Sequence, residues 1–114
     1  MAKIGQLVLD RGRWKGEQII SEGWIDAATA PHITTAYGEP YGYQFWLHTA
    51  PVAGRRIGLI AAHGQGGQRI VVAPTLDLVV VVTPGNYYGN DQLANLVPRI
   101  VLGDYVLPAV EAAP

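Results

Sequence analysis

Residues 60–72 read IAAHGQGGQRIVV, and the interpretation of the whole chain depends on this stretch. An apolar run enters it, three glycines in four positions interrupt it (Gly64, Gly66 and Gly67), and β-branched residues leave it. Glycines inside a strand pattern mark a bulge or a place where a ligand or another backbone comes close. With His63 and two glutamines beside this bare backbone, the pattern favours a binding groove on an edge strand. A hairpin turn at Gly66-Gly67 explains the same glycines, and the sequence leaves both interpretations open.

The segments around this stretch indicate helices first, strands next and a helix last. Ile4, Leu7 and Val8 have helical spacing, and Ser21 is a suitable N-cap for a second helix over residues 22–29. A last helix is predicted from Gln92 to about residue 107, with bends at a proline and a glycine. Between the helices, apolar or alternating runs predict strands over residues 41–47, 57–63, 68–73 and 78–82.

This order predicts an α+β fold, an antiparallel sheet of three to four strands with flanking helices. We expect a single partial domain over residues 1–114. Its parts are a helical segment (1–31), the antiparallel strands (41–83) and the C-terminal helix (91–108).

The composition argues against several kinds of protein: disulfide-rich domains, metalloproteins, and proteins that bind nucleic acid or anionic membranes. The chain has 114 residues, a net charge of −1 and no cysteine, so a disulfide framework or a thiolate metal site is excluded. The three histidines (His32, His48 and His63) are too scattered for a metal motif, and we expect neither a metal nor a cofactor. The charge gives no case for nucleic acid or an anionic membrane. No membrane-spanning run or secretion signal is recognised, so a cytoplasmic location is the default expectation.

The run LVVVV at residues 78–82 predicts a strand that is buried on both faces. Such a strand needs two covering layers, and the last helix supplies one. We expect the other layer to come from a second copy of the chain or from a missing N-terminal part. The high apolar content (49%) and low charged content (15%) also favour a homo-oligomer.

Five blocks in order resemble the C-terminal part of the serine β-lactamase-like family, which includes class C β-lactamases, penicillin-binding esterases and 6-aminohexanoate-dimer hydrolases. The blocks are MAKIGQLVLDRGRWKGEQIISEGWI, YGYQFWL, AHGQGGQRIVVAP, LDLVVVVT and the final helix. The resemblance implies a C-terminal fragment of a β-lactamase/transpeptidase-like fold. Its first block would belong to the late helical region, and the others to the last strands and C-terminal helix of the α/β domain.

Family catalysis depends on an S-x-x-K motif with the nucleophile, a Y-x-N or S-D-N loop, and a K-T-G strand. Ala62-His63-Gly64 resembles the third motif, with Gly64 in the glycine position and Ala62 where a lysine or histidine often stands. The resemblance implies that the backbone N–H of Gln65 is an oxyanion donor, and that His63, Gln65 and Gln68 contact substrate. Alternatively, the two glutamines cap backbone groups that the glycine break leaves unpaired.

The nucleophile motif is absent from this sequence. Ser21 is the only serine, and no S-x-x-K occurs. Tyr88-Gly89-Asn90 spells Y-x-N but follows the glycine strand, whereas the family motif precedes it, so we interpret it as a chance turn. We therefore expect the C-terminal portion of a hydrolase of β-lactams, esters or amides, inactive alone and able to use a small-molecule acyl substrate only once its site is completed. The alternatives are a non-catalytic α+β oligomerisation domain and a small-molecule binding module using residues 64–68.

Overall fold

The computed structural model of the chain describes residues 1–87 and 91–113. At the N-terminus, two helices flank a short hairpin within residues 1–31. Ser21 caps the second helix as predicted, because its hydroxyl accepts a hydrogen bond from the backbone N–H of Trp24 at 3.2 Å. The elements here are α1 (Ala2–Leu9), β1 (Arg13–Trp14), β2 (Glu17–Gln18) and α2 (Glu22–Ala28).

A six-stranded antiparallel sheet follows, in which each strand pairs with its neighbours in sequence. The α+β class and the antiparallel pairing are as expected, but the predicted number of three to four strands is wrong. The two extra strands are only two residues long, too short to give a periodic pattern. The strands are β3 (Ile33–Thr34), β4 (Pro40–Tyr41), β5 (Trp46–Val52), β6 (Arg55–Gly64), β7 (Gln68–Ala73) and β8 (Leu78–Val82).

The predicted strand over residues 41–47 is divided by a tight turn. Gly42 N–H donates to the Phe45 carbonyl oxygen at 2.8 Å, and Gln44 has a φ of 66°. The chain therefore reverses between β4 and β5. The alternation of aromatic and small residues that suggested one strand spans two strands and their connection.

The C-terminal helical segment covers one face of the sheet. It comprises α3 (Asp91–Ile100), a π-helical section (Val101–Val106) and α4 (Leu107–Ala112). Pro98 lies inside α3 and has no N–H for the carbonyl oxygen of Ala94, which accounts for part of this irregularity. The buried core lies beneath the segment and is formed by Ala50, Val52, Ile57, Leu59, Ala61, Val71, Ala73 and Leu107.

The opposite face is covered in part by α1, which packs on β7 and β8. A Cβ on Gly5 would lie 2.5 Å from Cγ1 of Val79, so the helix backbone contacts the sheet directly. Part of the layer expected from a second copy of the chain or from a missing N-terminal part is therefore supplied by α1 of this chain. β8 is also not buried on both faces, since it is the edge strand of the sheet and all five of its residues are only half-buried.

The segment Asp91–Ala112 is long and apolar enough to cross a membrane by length and composition, since an 18-residue window within it has a mean hydropathy of 1.3. The expectation that no membrane-spanning run exists is modified accordingly. One such helix does not establish a membrane protein, because a helix packed on a sheet passes the same test. In the fold, this segment lies on the β5–β7 face and contributes Leu107 to the core.

Candidate functional site

The glycine-rich stretch forms the hairpin connection between β6 and β7. A single 3₁₀ turn, Gln65–Gly67, joins the two strands. β6 pairs with β5 on one side and with β7 on the other, so it is an internal strand. The interpretation as an edge-strand groove is therefore wrong, and the hairpin interpretation is confirmed.

Two of the three glycines are required by this turn. Gly66 and Gly67 have φ angles of 78° and 88°, in the left-handed region that disfavours other residues. A Cβ on Gly66 would lie 2.8 Å from the ring of Tyr87, and one on Gly67 would lie 2.5 Å from the carbonyl oxygen of Ala94. The bare backbone thus allows close packing against the Tyr87 ring and α3.

Gly64 differs from the other two glycines. Its φ is −121°, which any residue can adopt, and a Cβ there would lie 3.0 Å from the Cβ of Gln68. Gly64 and the following Gln65 are both exposed. They leave the end of β6 accessible to solvent.

The predicted site residues are divided between the two faces of the sheet. The β6–β7 register pairs Ala62 with Ile70, His63 with Arg69, and Gly64 with Gln68. Because side chains alternate along a strand, Ala62 and Gly64 share one face while His63 and Arg69 share the other. Residues from both faces can therefore contact one ligand only at the end of β6, beside the turn to β7.

Gln68 holds the loop that precedes α3. Its amide nitrogen donates to the carbonyl oxygen of Pro84 at 2.6 Å and to the hydroxyl of Tyr87 at 3.0 Å. Both acceptors belong to residues 84–87 and not to the glycine break, so these bonds leave open the alternative in which Gln68 caps backbone groups of the break. The Y-x-N sequence, Tyr88-Gly89-Asn90, lies outside the described residues.

An aromatic and histidine cluster lies at the same end of the sheet and was not predicted. The ring of Trp46 stacks with His63 at 5.1 Å and with His48 at 6.2 Å between centroids. The two histidine Nε2 atoms lie 3.3 Å apart, and His48 Nδ1 lies 3.3 Å from Oε2 of Glu39. We call Glu39, Trp46, His48 and His63 the histidine cluster.

Hydrogen bonds link Glu39, His48 and His63 in a chain. The Nε2 atoms of the two histidines lie within hydrogen-bond distance, and the tautomers set which of them donates. Although His63 is exposed as a residue, partial burial of its imidazole lowers its pKa to about 4, with smaller contributions from the positive charges of Arg69 and His48. His63 is therefore neutral at physiological pH and can exchange hydrogen bonds with a ligand.

Sequence reasoning treated the three histidines as scattered, and it missed Glu39 and His48. Trp46 pairs with Ala61 across β5 and β6, and His63 lies two residues farther along the same face. Trp46 and His48 are two residues apart, and this spacing was the one signal in the sequence that both side chains share a face of one strand. Because the bounds of that strand were predicted wrongly, the pair could not be placed beside His63.

Neither a metal centre nor an activated serine is formed by these groups. Within residues 1–87 and 91–113, no three His, Cys, Asp or Glu side chains are grouped to hold a metal ion. Ser21 lies at the start of α2, where its hydroxyl serves as the helix cap. What the described cluster offers chemically is hydrogen bonding and an aromatic surface.

Comparison with known proteins gives a distant relationship to a hydrolase. No protein-family model matches the chain. It is 29% identical over 91 residues to a 6-aminohexanoate-dimer hydrolase of Paenarthrobacter ureafaciens, a match covering 71% of this chain and 22% of that protein. The chain is a distant relative of that hydrolase. It spans about a fifth of the length of this curated relative.

Proposed function

We propose that this chain is the C-terminal portion of a β-lactamase-like serine hydrolase and forms one wall of its acyl site. The observation that carries the proposal is the similarity to the 6-aminohexanoate-dimer hydrolase. The ordered motifs, ending in the strand and final helix after AHGQGGQ, support it from the sequence. The proposed substrates are β-lactams, esters or amides of small molecules.

In this proposal the wall is the exposed end of β6. Ala62 and Gly64 are small, so an acyl group can approach the strand closely. The backbone N–H of Gln65 is the proposed oxyanion donor, and hydrogen bonding to a developing oxyanion is a large contribution to acyl transfer. His63 and Gln65 border the same strand end as proposed substrate contacts, and Gln68 fixes the loop beside them.

The chain alone supplies no nucleophile in this scheme. Covalent catalysis needs a hydroxyl activated by an adjacent base, whereas the hydroxyl of Ser21 is the cap of α2. The S-x-x-K and Y-x-N motifs would come from an N-terminal part of the hydrolase. The isolated chain is therefore inert toward acyl donors.

A non-catalytic α+β domain is the second candidate. The contacts of Gly66, Gly67 and Gln68 favour it, because packing against Tyr87 and Ala94 explains the glycine motif without a ligand. In that case the chain would act through self-association or ligand binding.

Intact-mass spectrometry after incubation with a fluorophosphonate or a penicillin tests the proposal. The chain should gain no covalent adduct, whereas a serine hydrolase of the same family, run as a positive control, should be labelled. A stoichiometric adduct on Ser21 would contradict the absence of a nucleophile. Adding the N-terminal part encoded upstream should restore labelling, and failure to restore it would favour the non-catalytic alternative.

A further inference from the structure

A cavity of about 430 Å³ lies between the β5–β7 face and the C-terminal helical segment. This volume falls within the roughly 300–1,000 Å³ typical of small-molecule sites. The cavity is on the face of the sheet opposite to Ala62 and Gly64. Most of its lining is apolar and includes Ala50, Leu59, Ala61, Val71, Leu102 and Leu107.

The charges that line this cavity have one sign. Arg69 and Arg99 both contribute to the lining, and none of the lining residues is Asp or Glu. His48 and His63 lie at the same boundary. An apolar cavity with two guanidinium groups and no carboxylate is electrostatically suited to an anion.

Arg69 is the strongest indication of a ligand. It is only 8% exposed, and burial lowers its pKa. Its guanidinium donates to the Asn95 side-chain oxygen at 2.6 Å and to the carbonyl oxygens of Gln68 at 2.8 Å and Gly64 at 3.4 Å, all of them neutral acceptors. Among residues 1–87 and 91–113, no carboxylate forms an ion pair with it. Buried charges in proteins are normally paired.

The positive charge of Arg69 also affects the pKa of His63, which lines the same cavity. The charge of Arg69 is the second largest cause of the lowered pKa of His63, after burial. A negative charge bound beside Arg69 would oppose that effect. The cavity therefore combines apolar volume with an unneutralised cation at its boundary.

We propose that this cavity binds a medium-chain aliphatic carboxylate, with its carboxylate on Arg69 and its hydrocarbon chain along Leu59, Ala61 and Leu107. A guanidinium is suited to pairing with a carboxylate, and such charge-assisted hydrogen bonds are stronger than neutral ones. The apolar lining selects a ligand with a hydrocarbon body over a small inorganic anion. This site adjoins the proposed acyl wall at His63, which lines the cavity, but the argument for it does not depend on the hydrolase proposal.

Isothermal titration of the full chain with octanoate, octanamide and acetate tests the site. Octanoate should bind at least tenfold more tightly than octanamide, its uncharged analogue, and acetate should not bind measurably. From hexanoate to octanoate, affinity should rise by up to about fourfold per methylene, from the free energy of burying one such group. Equal affinity for octanoate and octanamide, or no binding of octanoate, would overturn the proposal.

Variants locate the charge that binds the carboxylate. Arg69→Met should abolish the preference for octanoate over octanamide, and Arg99→Gln should reduce it several-fold. Arg55→Gln is the matched control, because Arg55 is exposed on β6 and does not line the cavity. If Arg69→Met fails to fold, Arg99→Gln still tests the proposal, and an unchanged preference in it would contradict the assigned site.

A spectroscopic measurement gives an independent readout. In a ¹⁵N-edited NMR titration, saturating octanoate should raise the pKa of His63 above its value of about 4 in the free chain. His32 stacks on Tyr43 and does not line the cavity, so it is an internal control whose ring resonances should not move when octanoate is added. An unchanged pKa of His63 in the presence of bound octanoate would show that the carboxylate is elsewhere, and would refute the proposal.

Discussion

Replacing Gly67 by alanine should destabilise the fold by about 2–5 kcal/mol. A φ of 88° costs an L-residue about 1–2 kcal/mol. The new Cβ would also lie 2.5 Å from the carbonyl oxygen of Ala94 and 2.9 Å from Cγ of Pro84. Forcing an extra carbon into packed surroundings typically costs about 1–3 kcal/mol. The two contributions together are a large part of the 5–15 kcal/mol that stabilises a typical domain.

The matched control is Gly58→Ala, in which the new Cβ meets nothing within 4 Å and the backbone does not require a positive φ. Urea unfolding followed by tryptophan fluorescence measures both variants, and a lower midpoint with unchanged slope indicates lost stability. The melting temperature of Gly67→Ala should fall by roughly 8–20 °C. Gly66→Ala should cost less, because the Tyr87 ring that its Cβ meets is a movable side chain. Free energies of unfolding for Gly67→Ala and Gly58→Ala that agree within about 0.5 kcal/mol would refute this packing argument.

Three further predictions follow from other contacts. The contribution of His63 to the free energy of unfolding should be complete above about pH 6.5 and should fall as the pH is lowered towards 4, because in this window the unfolded chain binds a proton at His63 that the folded chain does not. His63→Gln should weaken this pH dependence in acid unfolding curves, and an identical dependence in the variant would exclude His63 as its source. Ser21→Ala should lower the free energy of unfolding by about 1 kcal/mol through loss of the helix cap, and neither the variant nor the parent chain should react with fluorophosphonates. An unchanged melting temperature would show that the cap contributes nothing to stability. The chain should self-associate at micromolar concentration through the half-buried edge strand β8 and exposed apolar residues such as Ile4 and Ile33; a strictly monomeric, well-folded species in analytical ultracentrifugation would contradict this and the view of the chain as an incomplete domain.

Strongly patterned elements were predictable from local sequence. The bounds of β7 and β8 were predicted correctly, and the cap at Ser21 was identified from the residue type and the apolar run that follows it. These features depend on periodicity and on one local hydrogen bond, so neighbouring residues are sufficient to specify them.

Features that depend on long-range packing were not predictable. The two-residue strands β3 and β4 exist because they extend the sheet from β5, and they have no pattern of their own. The burial of β8 was overestimated because composition does not show that a strand lies at a sheet edge. α1 reaches the sheet because Gly5 allows its backbone to lie against Val79, a contact between residues far apart in sequence.

The candidate site was predicted only in part. The stretch at residues 62–68 was recognised, but the roles of its residues depend on which face of the sheet each one occupies, and alternation along β6 places His63 and Gly64 on opposite faces. His48 lies on β5 and comes within 3.3 Å of His63 through the register of β5 with β6, which the sequence does not show. The closeness of Gly67 to Ala94 likewise depends on where α3 packs.

Sequencing the DNA immediately upstream of the codon for Met1 tests the central claim most directly. If the chain is the C-terminal portion of a β-lactamase-like hydrolase, this DNA should encode S-x-x-K followed by Y-x-N or S-D-N, in the reading frame of Met1. An upstream region without these motifs in that frame, together with no acyl labelling of the chain, would contradict the account and favour a non-catalytic domain.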